Sequence, residues 1–310
     1  AACIPSDAVA NDEKTAQATG IAARRVAPPG TTVVDLCVRA AERVLADTGS
    51  KPADFGAVVF VSFTQHDRMP CAAAQAQARL GFATGILAFD ISLACSGWCY
   101  GLYLSGLLAR QTGKKTLLLD GDLQSEFLDP NDRDTASLLS DGGTATVVSP
   151  DPHPSSPIPH PWKFSFVTDG AKGEALKLSH GNTIKMDGFG VFRFVATDVV
   201  AYAKAFLEAT SHIPHPSSLL FVPHQPNVFM VKQLAKSLGI PAEQTVLSCD
   251  RFGNLSSASI PTAIAASSLI PRSSSLFLAG FGGGLSVSLG LISLPDDCTR
   301  AVVDYPSALK

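Results

Sequence analysis

At 310 residues the chain is long enough to bury a large core, as two domains or as one duplicated domain. Only 16% of it is charged and its mean hydropathy is +0.21, so much of its surface is expected to face other protein, a partner subunit included. A formal net charge of -3, with no stripe of basic and aromatic residues, excludes a general nucleic-acid binder.

In chain order, TVVDLCVRAAERVLAD (32–47) carries apolar residues at helical spacing, with Thr31 or Thr32 as its cap. AVVFVSF (57–63) reads as a buried strand, and PCAAAQAQARLG (70–81) as a helix opened by Pro70 and stopped at Gly81. Strand ILAFDIS then leads into a helix from Cys95 to Gln111, followed by strands KTLLLDG and GTATVVS. SPDPHPSSPIPHPW (149–162) is too rich in Pro to continue a helix or a central strand. It divides the chain into an N-terminal half, 1–150, and a C-terminal half, 163–310, joined by the connection 151–162.

The alternation then resumes. VFRFVATDVVAYAKAFLEAT is a long helix, SLLFVPH a strand, PNVFMVKQLAKSLG a helix with Pro226 at its start, TVLSC a strand and SSASIPTAIAASSL a helix. SLFLAGFGGGLSVSLGLISL closes the chain as two buried strands joined by a glycine turn. Two successive βα-rich halves predict α/β layers with mostly parallel central strands covered by helices.

Seven cysteines, odd in number, scattered and without a C-x-x-C pair, suggest neither a disulfide framework nor a metal site. No apolar run reaches the roughly 18 residues of a membrane span, and AACIPSDAVANDEK lacks the order of a signal peptide. A soluble cytoplasmic protein that touches no membrane is therefore expected.

Four stretches carry possible chemistry. Cys95, between a strand and a helix, sits where a helix N-terminus would favour its thiolate, although a free Cys there is as readily a small buried hydrophobe, as Cys99 is expected to be. His224 in FVPHQPN ends a strand, a position open to a structural hydrogen bond as well as to catalysis. Asn254 in DRFGNLSSASIP lies in a turn before a helix, where it could equally be a cap. GFGGGLS (280–286) can expose backbone N–H groups to a ligand oxygen, or simply make a tight hairpin.

Taken together, TGI (19–21), PCAAAQAQARLG, FDISLACSGWCYGL, NDRDTASLLSDGGTA, MDGFGVFRF, FVPHQPN, DRFGNLSSASIP and GFGGGLS occur in one order across nearly the whole chain. In this the sequence resembles the β-ketoacyl-acyl-carrier-protein synthase III family of the thiolase-like superfamily. The resemblance implies a duplicated five-layer αβαβα fold with two mixed β-sheets, acting as a homodimer. It implies a triad of Cys95, His224 and Asn254, with an oxyanion hole from the Cys95 and Gly283 amides. Phe281 matches an aromatic kept near the nucleophile, Met69 a position that reaches the neighbouring subunit's acyl pocket, and Arg133 an arginine at the pocket mouth. No cofactor is implied, since acyl-coenzyme A or acyl-carrier protein is the substrate.

The match departs from the family in two places. The stretch from Pro5 to Thr19 is shorter than the family's and has no Trp, the first being Trp98, which is expected to pack; and Phe229 replaces a basic residue. Fewer nucleotide contacts favour a primer delivered on a carrier protein, whose acidic helix Lys232 and Lys236 are suited to meet, though either lysine alone reads as a solvated helix face. A flexible Met69 suggests a longer or branched primer.

The leading expectation is decarboxylative condensation of an acyl group on Cys95 with malonyl-acyl carrier protein, initiating acyl-chain synthesis. A second is acyl transfer to another acceptor in specialised metabolism, which Asn254 disfavours. A third is a non-catalytic partner subunit, which the intact Cys, His and Asn argue against.

Overall fold

The computed structural model describes residues 1–150, 162–179, 181–210, 219–271 and 274–307, so the connection expected at 151–162 lies, except for Trp162, outside the described residues. The first half forms β1 (Ala2–Pro5), α1 (Val33–Thr48), β2 (Phe55–Val61), α2 (Ala72–Arg79), β3 (Leu87–Ile91), α3 (Gly97–Thr112), β4 (Lys115–Asp122) and β5 (Gly142–Val148). The second begins with β6 (Lys163–Thr168), then α4 (Gly188–Phe194), which runs through a wider turn into α5 (Val200–Thr210). It continues as β7 (Leu220–Pro223), α6 (Val228–Leu238), α7 (Ser259–Ala266), β8 (Ser275–Gly282), β9 (Ser286–Ser293) and β10 (Val302–Tyr305).

The halves repeat one topology. In the first sheet, ordered β10-β1-β5-β4-β2-β3, strands β3, β2 and β4 run parallel, β5 is antiparallel to β4, and β1 is antiparallel to β5. In the second, ordered β7-β8-β9-β6, β7 and β8 run parallel while β9 and then β6 reverse direction. Beside β7, where β3 lies beside β2, the expected strand TVLSC shrinks to a single parallel bridge between Thr245 and Phe221. The reason lies in Gln225, whose Oε1 accepts from the Ser248 and Cys249 N–H groups at 2.9 and 3.4 Å and draws the backbone away from the ladder. The chain also does not close on two strands: β10 follows them and pairs in parallel with β1 in the first sheet, although it belongs in sequence to the second half. Four partly exposed residues show no apolar run by which the sequence would reveal them.

Side-chain alternation along the strands sets the layers. Val58 and Phe60 of β2 face α1 and α2, packing with Leu36, Cys37 and Ala76. Val59 and Val61 face the opposite way, onto a central layer of α3 and α7, where Leu102 and Ile260 also meet Val222 and Leu278 of the second sheet. Phe277, Ala279 and Phe281 of β8 point outward to α5 and α6, against Phe206 and Leu234. The result is helix, sheet, helix, sheet, helix. Central strands covered on both faces explain the unbroken apolar runs in the sequence. Each fully buried Leu or Phe contributes about 1.5–3 kcal/mol, and a one-residue slip would turn a whole row over.

Helix starts refine the sequence reading. Thr32 caps α1, in a capping box with Asp35. Pro70 lies outside α2, whose first amides, Ala72 and Ala73, donate to the Asp90 carboxylate of β3 at 2.8 Å each. Asn227 caps α6 by accepting from the Met230 N–H, so Pro226 precedes the helix. Among the described residues, no helix is long and apolar enough to cross a membrane.

Candidate active site

Cys95 lies in the turn between β3 and α3, two residues before the first helical residue. The turn is pressed close to the sheet beneath it: a Cβ on Gly97 would stand 2.6 Å from Cγ1 of Val61. On the other side, a Cβ on Gly282 would stand 2.7 Å from the Cys95 Cβ and 3.0 Å from its Sγ, so only glycine lets β8 approach the thiol. Cys95 is 8% exposed.

Burial pushes its thiol up to about 12, and the Asp122 charge adds to this; the Ser256 hydroxyl and the Cys95 and Gly283 N–H groups pull the other way. The resting group is therefore a thiol. The thiolate expected at a helix N-terminus is overridden by desolvation, which is the larger effect.

His224 follows β7, and its N–H donates to Ala279 O at 2.7 Å. Its ring meets Phe281 edge-on, with centroids 5.3 Å apart and planes at 81°, which gives Phe281 a packing part beside the imidazole. Burial lowers the imidazole to about 3, opposed by the Ser256 backbone, so it is neutral throughout the physiological range. Its Nδ1 has no hydrogen-bond partner among the described residues.

Asn254 is held by its backbone. Its N–H donates to Leu138 O, and its carbonyl accepts from the Ser140 N–H and from Gln124 Nε2. Its side-chain Oδ1 accepts from the Ser256 N–H at 2.9 Å. That bond fixes the amide with Nδ2 as the donor left for another oxygen. Asn254 is not the cap of α7, which begins five residues later.

The structure thus gathers Cys95, His224, Phe281, Gly283 and Asn254 around one residue that the sequence reading missed, Ser256. Its backbone has φ 53°, the one positive value among described non-glycine residues, and its Oγ lies 3.9 Å from the Cys95 Sγ. Two buried carboxyls were also missed. The Oδ1 of Asp122 accepts from Ser62 Oγ, the Phe63 N–H and Thr64 Oγ1 at 2.9, 3.0 and 3.1 Å. Asp120 accepts from the Ser257 hydroxyl. Burial raises Asp122 to about 7 and Asp120 well above the usual range. Their signal in the sequence is two acids in the otherwise apolar strand LLLDGD.

The remaining candidates are exposed to solvent. Arg133 donates to the Asp12 carboxylate at 2.9 Å and is largely exposed. Met69 is 88% exposed. Lys232 and Lys236 are exposed on α6, where exposed Phe229 stacks on Phe192 at 6.2 Å.

The family profile described as 3-oxoacyl-[acyl-carrier-protein (ACP)] synthase III matches residues 89–170, and its C-terminal counterpart matches 216–294. The β-ketoacyl-[acyl-carrier-protein] synthase III of Natranaerobius thermophilus is 33% identical over 290 residues, covering 86% of each chain. Synthase III 1 of Vibrio parahaemolyticus is 33% identical over 294 residues, 91% of this chain and 90% of its own. The crystal structure of 3-oxoacyl-(acyl-carrier protein) synthase from Burkholderia xenovorans superposes with a TM-score of 0.89 at 30% identity, covering 98% of this chain and 95% of that one. With this identity over this span, and the duplicated thiolase-like fold beneath it, the chain belongs to the β-ketoacyl-acyl-carrier-protein synthase III family of condensing acyltransferases.

Proposed function

We propose that Cys95 takes an acyl group from a thioester and that the acyl-enzyme then condenses with the carbanion formed when a malonyl-acyl carrier protein loses carbon dioxide. One observation carries the reading: a buried thiol bordered by the Cys95 and Gly283 amides adjoins a neutral imidazole and an asparagine whose oxygen is already occupied. The two amides are suited to a tetrahedral oxyanion at the acyl carbon. His224 and the Asn254 Nδ2 are suited to the enolate oxygen left by decarboxylation. An imidazole near 3 holds that oxygen by hydrogen bonding and is a poor source of a proton to quench the carbanion. The carbanion attacks the acyl carbon, Cys95 leaves as thiolate, and a β-ketoacyl thioester departs. Each step is carried by side chains and thioesters, with no cofactor assigned.

The primer donor is read as a carrier protein. Arg133 is engaged by Asp12, and an aromatic pair, Phe192 and Phe229, occupies α4 and the start of α6, while Lys232 and Lys236 remain exposed for an acidic partner helix. A cytoplasmic homodimer fits the low charged fraction and the exposure of Met69.

Intact-protein mass spectrometry after incubation with acyl-coenzyme A and acyl-carrier-protein panels, alongside carbon dioxide release from malonyl-acyl carrier protein, tests this. A donor-specific adduct on wild type and none on Cys95→Ala is expected. An adduct retained by Cys95→Ala, or acylation without carbon dioxide release, refutes the reading.

A further inference from the structure

Side chains of β4 alternate between the two sides of the first sheet: Leu117 and Leu119 pack on the α1 side, Leu118 on the central layer. Asp120 falls on the Leu118 side, so a carboxyl enters the layer that holds α3 and α7. Among the described residues that carboxyl has one hydrogen-bond partner, the Ser257 hydroxyl, which donates to Oδ1; Oδ2 has none, and both residues are 0% exposed. An acid kept in a dry layer for a single hydroxyl costs free energy and calls for a reason. The reason lies in the turn to which Ser257 belongs. Asn254 is pinned at its backbone by Leu138, Ser140 and Gln124, which leaves the rotation of its side-chain amide to be set by one bond, from the Ser256 N–H to Oδ1 at 2.9 Å. Ser256 in turn has φ 53°, a value that a serine keeps only where its surroundings hold it there. The Ser257 bond to Asp120 is the next anchor along the chain, on the far side of that strained residue.

We propose that Asp120 is a positioning residue for the condensation: by holding Ser257 it keeps Ser256 in the left-handed region, the Ser256 N–H on Asn254 Oδ1, and Asn254 Nδ2 aimed where the enolate oxygen forms. Released from Asp120, Ser256 relaxes to a negative φ, its N–H swings away, and the Asn254 amide loses the bond that sorts its oxygen from its nitrogen. Asp120 acts only through this turn. Burial holds its carboxyl protonated, so an asparagine in its place presents the same neutral acceptor to Ser257.

This role rests on the proposed condensation, with Asn254 as an enolate donor, and the test separates the two. Carbon dioxide release from malonyl-acyl carrier protein and alkylation of Cys95 by iodoacetamide, read by peptide mass spectrometry, are compared in wild type, Ser257→Ala, Asp120→Ala, Asp120→Asn, Asn254→Ala and the double variant Ser257→Ala/Asn254→Ala. Release should fall by about 100-fold in Ser257→Ala and in Asp120→Ala, as for a donor misplaced by about 1 Å, while alkylation stays within a fewfold of wild type. Asp120→Asn, which keeps the acceptor, should retain release within a fewfold. In the Asn254→Ala background Ser257→Ala should cost no further release, because the amide it positions is gone. Unchanged release in folded Ser257→Ala or Asp120→Ala overturns the positioning role, as does a loss in Asp120→Asn as large as in Asp120→Ala. Losses that multiply in the double variant, or an equal fall in release and alkylation, overturn it too. If Ser257→Ala or Asp120→Ala fails to fold, the other decides. No release by wild type, or full release by Asn254→Ala, refutes instead the condensing reading, and the positioning role falls with it.

Discussion

Replacing Asn254 by Ala separates the two stages of the reaction. The backbone at 254 is pinned by bonds to Leu138, Ser140 and Gln124 that do not involve the side chain, so truncation leaves the turn where it is. Two things are lost: the Nδ2 donor and the acceptor for the Ser256 N–H. Removing one oxyanion donor lowers a rate by about 100–1000-fold, or about 2.7–4 kcal/mol of transition-state stabilisation. Orphaning the Ser256 amide, in a residue 0% exposed, costs about 1–3 kcal/mol of folding stability. The assay follows carbon dioxide release from malonyl-acyl carrier protein and, separately, adduct formation on Cys95 by intact mass. Release should fall by about 100–1000-fold while acylation continues within a fewfold of wild type, and urea unfolding should report the stability loss. Carbon dioxide release at the wild-type rate, or parallel collapse of both stages in a folded variant, would refute the assignment of Nδ2 to the enolate.

Three further outcomes follow from the same geometry. Gly282→Ala would place a methyl 3.0 Å from the Cys95 Sγ and should cost about 1–3 kcal/mol of stability and most of the acylation rate, read by melting and adduct formation. An unfolded imidazole takes up a proton below about 6.5, whereas His224 in the folded chain stays neutral to about 3; stability is therefore kept above pH 6.5 and lost as pH falls through that window. Asp122, raised to about 7, acts in the opposite sense between 7 and 3.8, so the comparison is wild type against His224→Gln: their difference should change with pH by up to about 1.4 kcal/mol per unit, and a flat difference contradicts the burial of a neutral imidazole. Arg300 donates to the carbonyls of Ile264, Ser267 and Ile270 at 3.1, 3.2 and 2.6 Å, closing the end of α7; Arg300→Ala should cost about 2–3 kcal/mol in urea unfolding with acylation unchanged.

Much of this protein is written locally. Apolar runs such as AVVFV and SLFLAGF are strands buried on both faces, and their continuity is visible because each residue packs against one helical layer or the other. Cys95, His224 and Asn254 stand at strand ends or in turns, positions that neighbouring residues mark without knowledge of the rest of the chain. The strand lost at 245–249 and the strand gained at 302–305 were not legible, since one depends on where the Gln225 side chain lands and the other on an edge offered by β1.

What tertiary structure alone decides is the setting of Cys95. Ser256 is 161 residues from Cys95 and reads as one more serine before a helix, yet it touches the sulfur. Asp122 and Asp120 look like the polar end of a strand, yet both are buried and both titrate far from where free carboxyls do. Arg133 reads as a residue of the pocket mouth, and only the fold shows its ion pair with Asp12. Residue type and local spacing set which groups are present, but desolvation and long-range contacts set their charge; the sequence marks Cys95, His224 and Asn254 as candidates, and the packing of two sheets around them determines that the thiol rests protonated and the imidazole neutral.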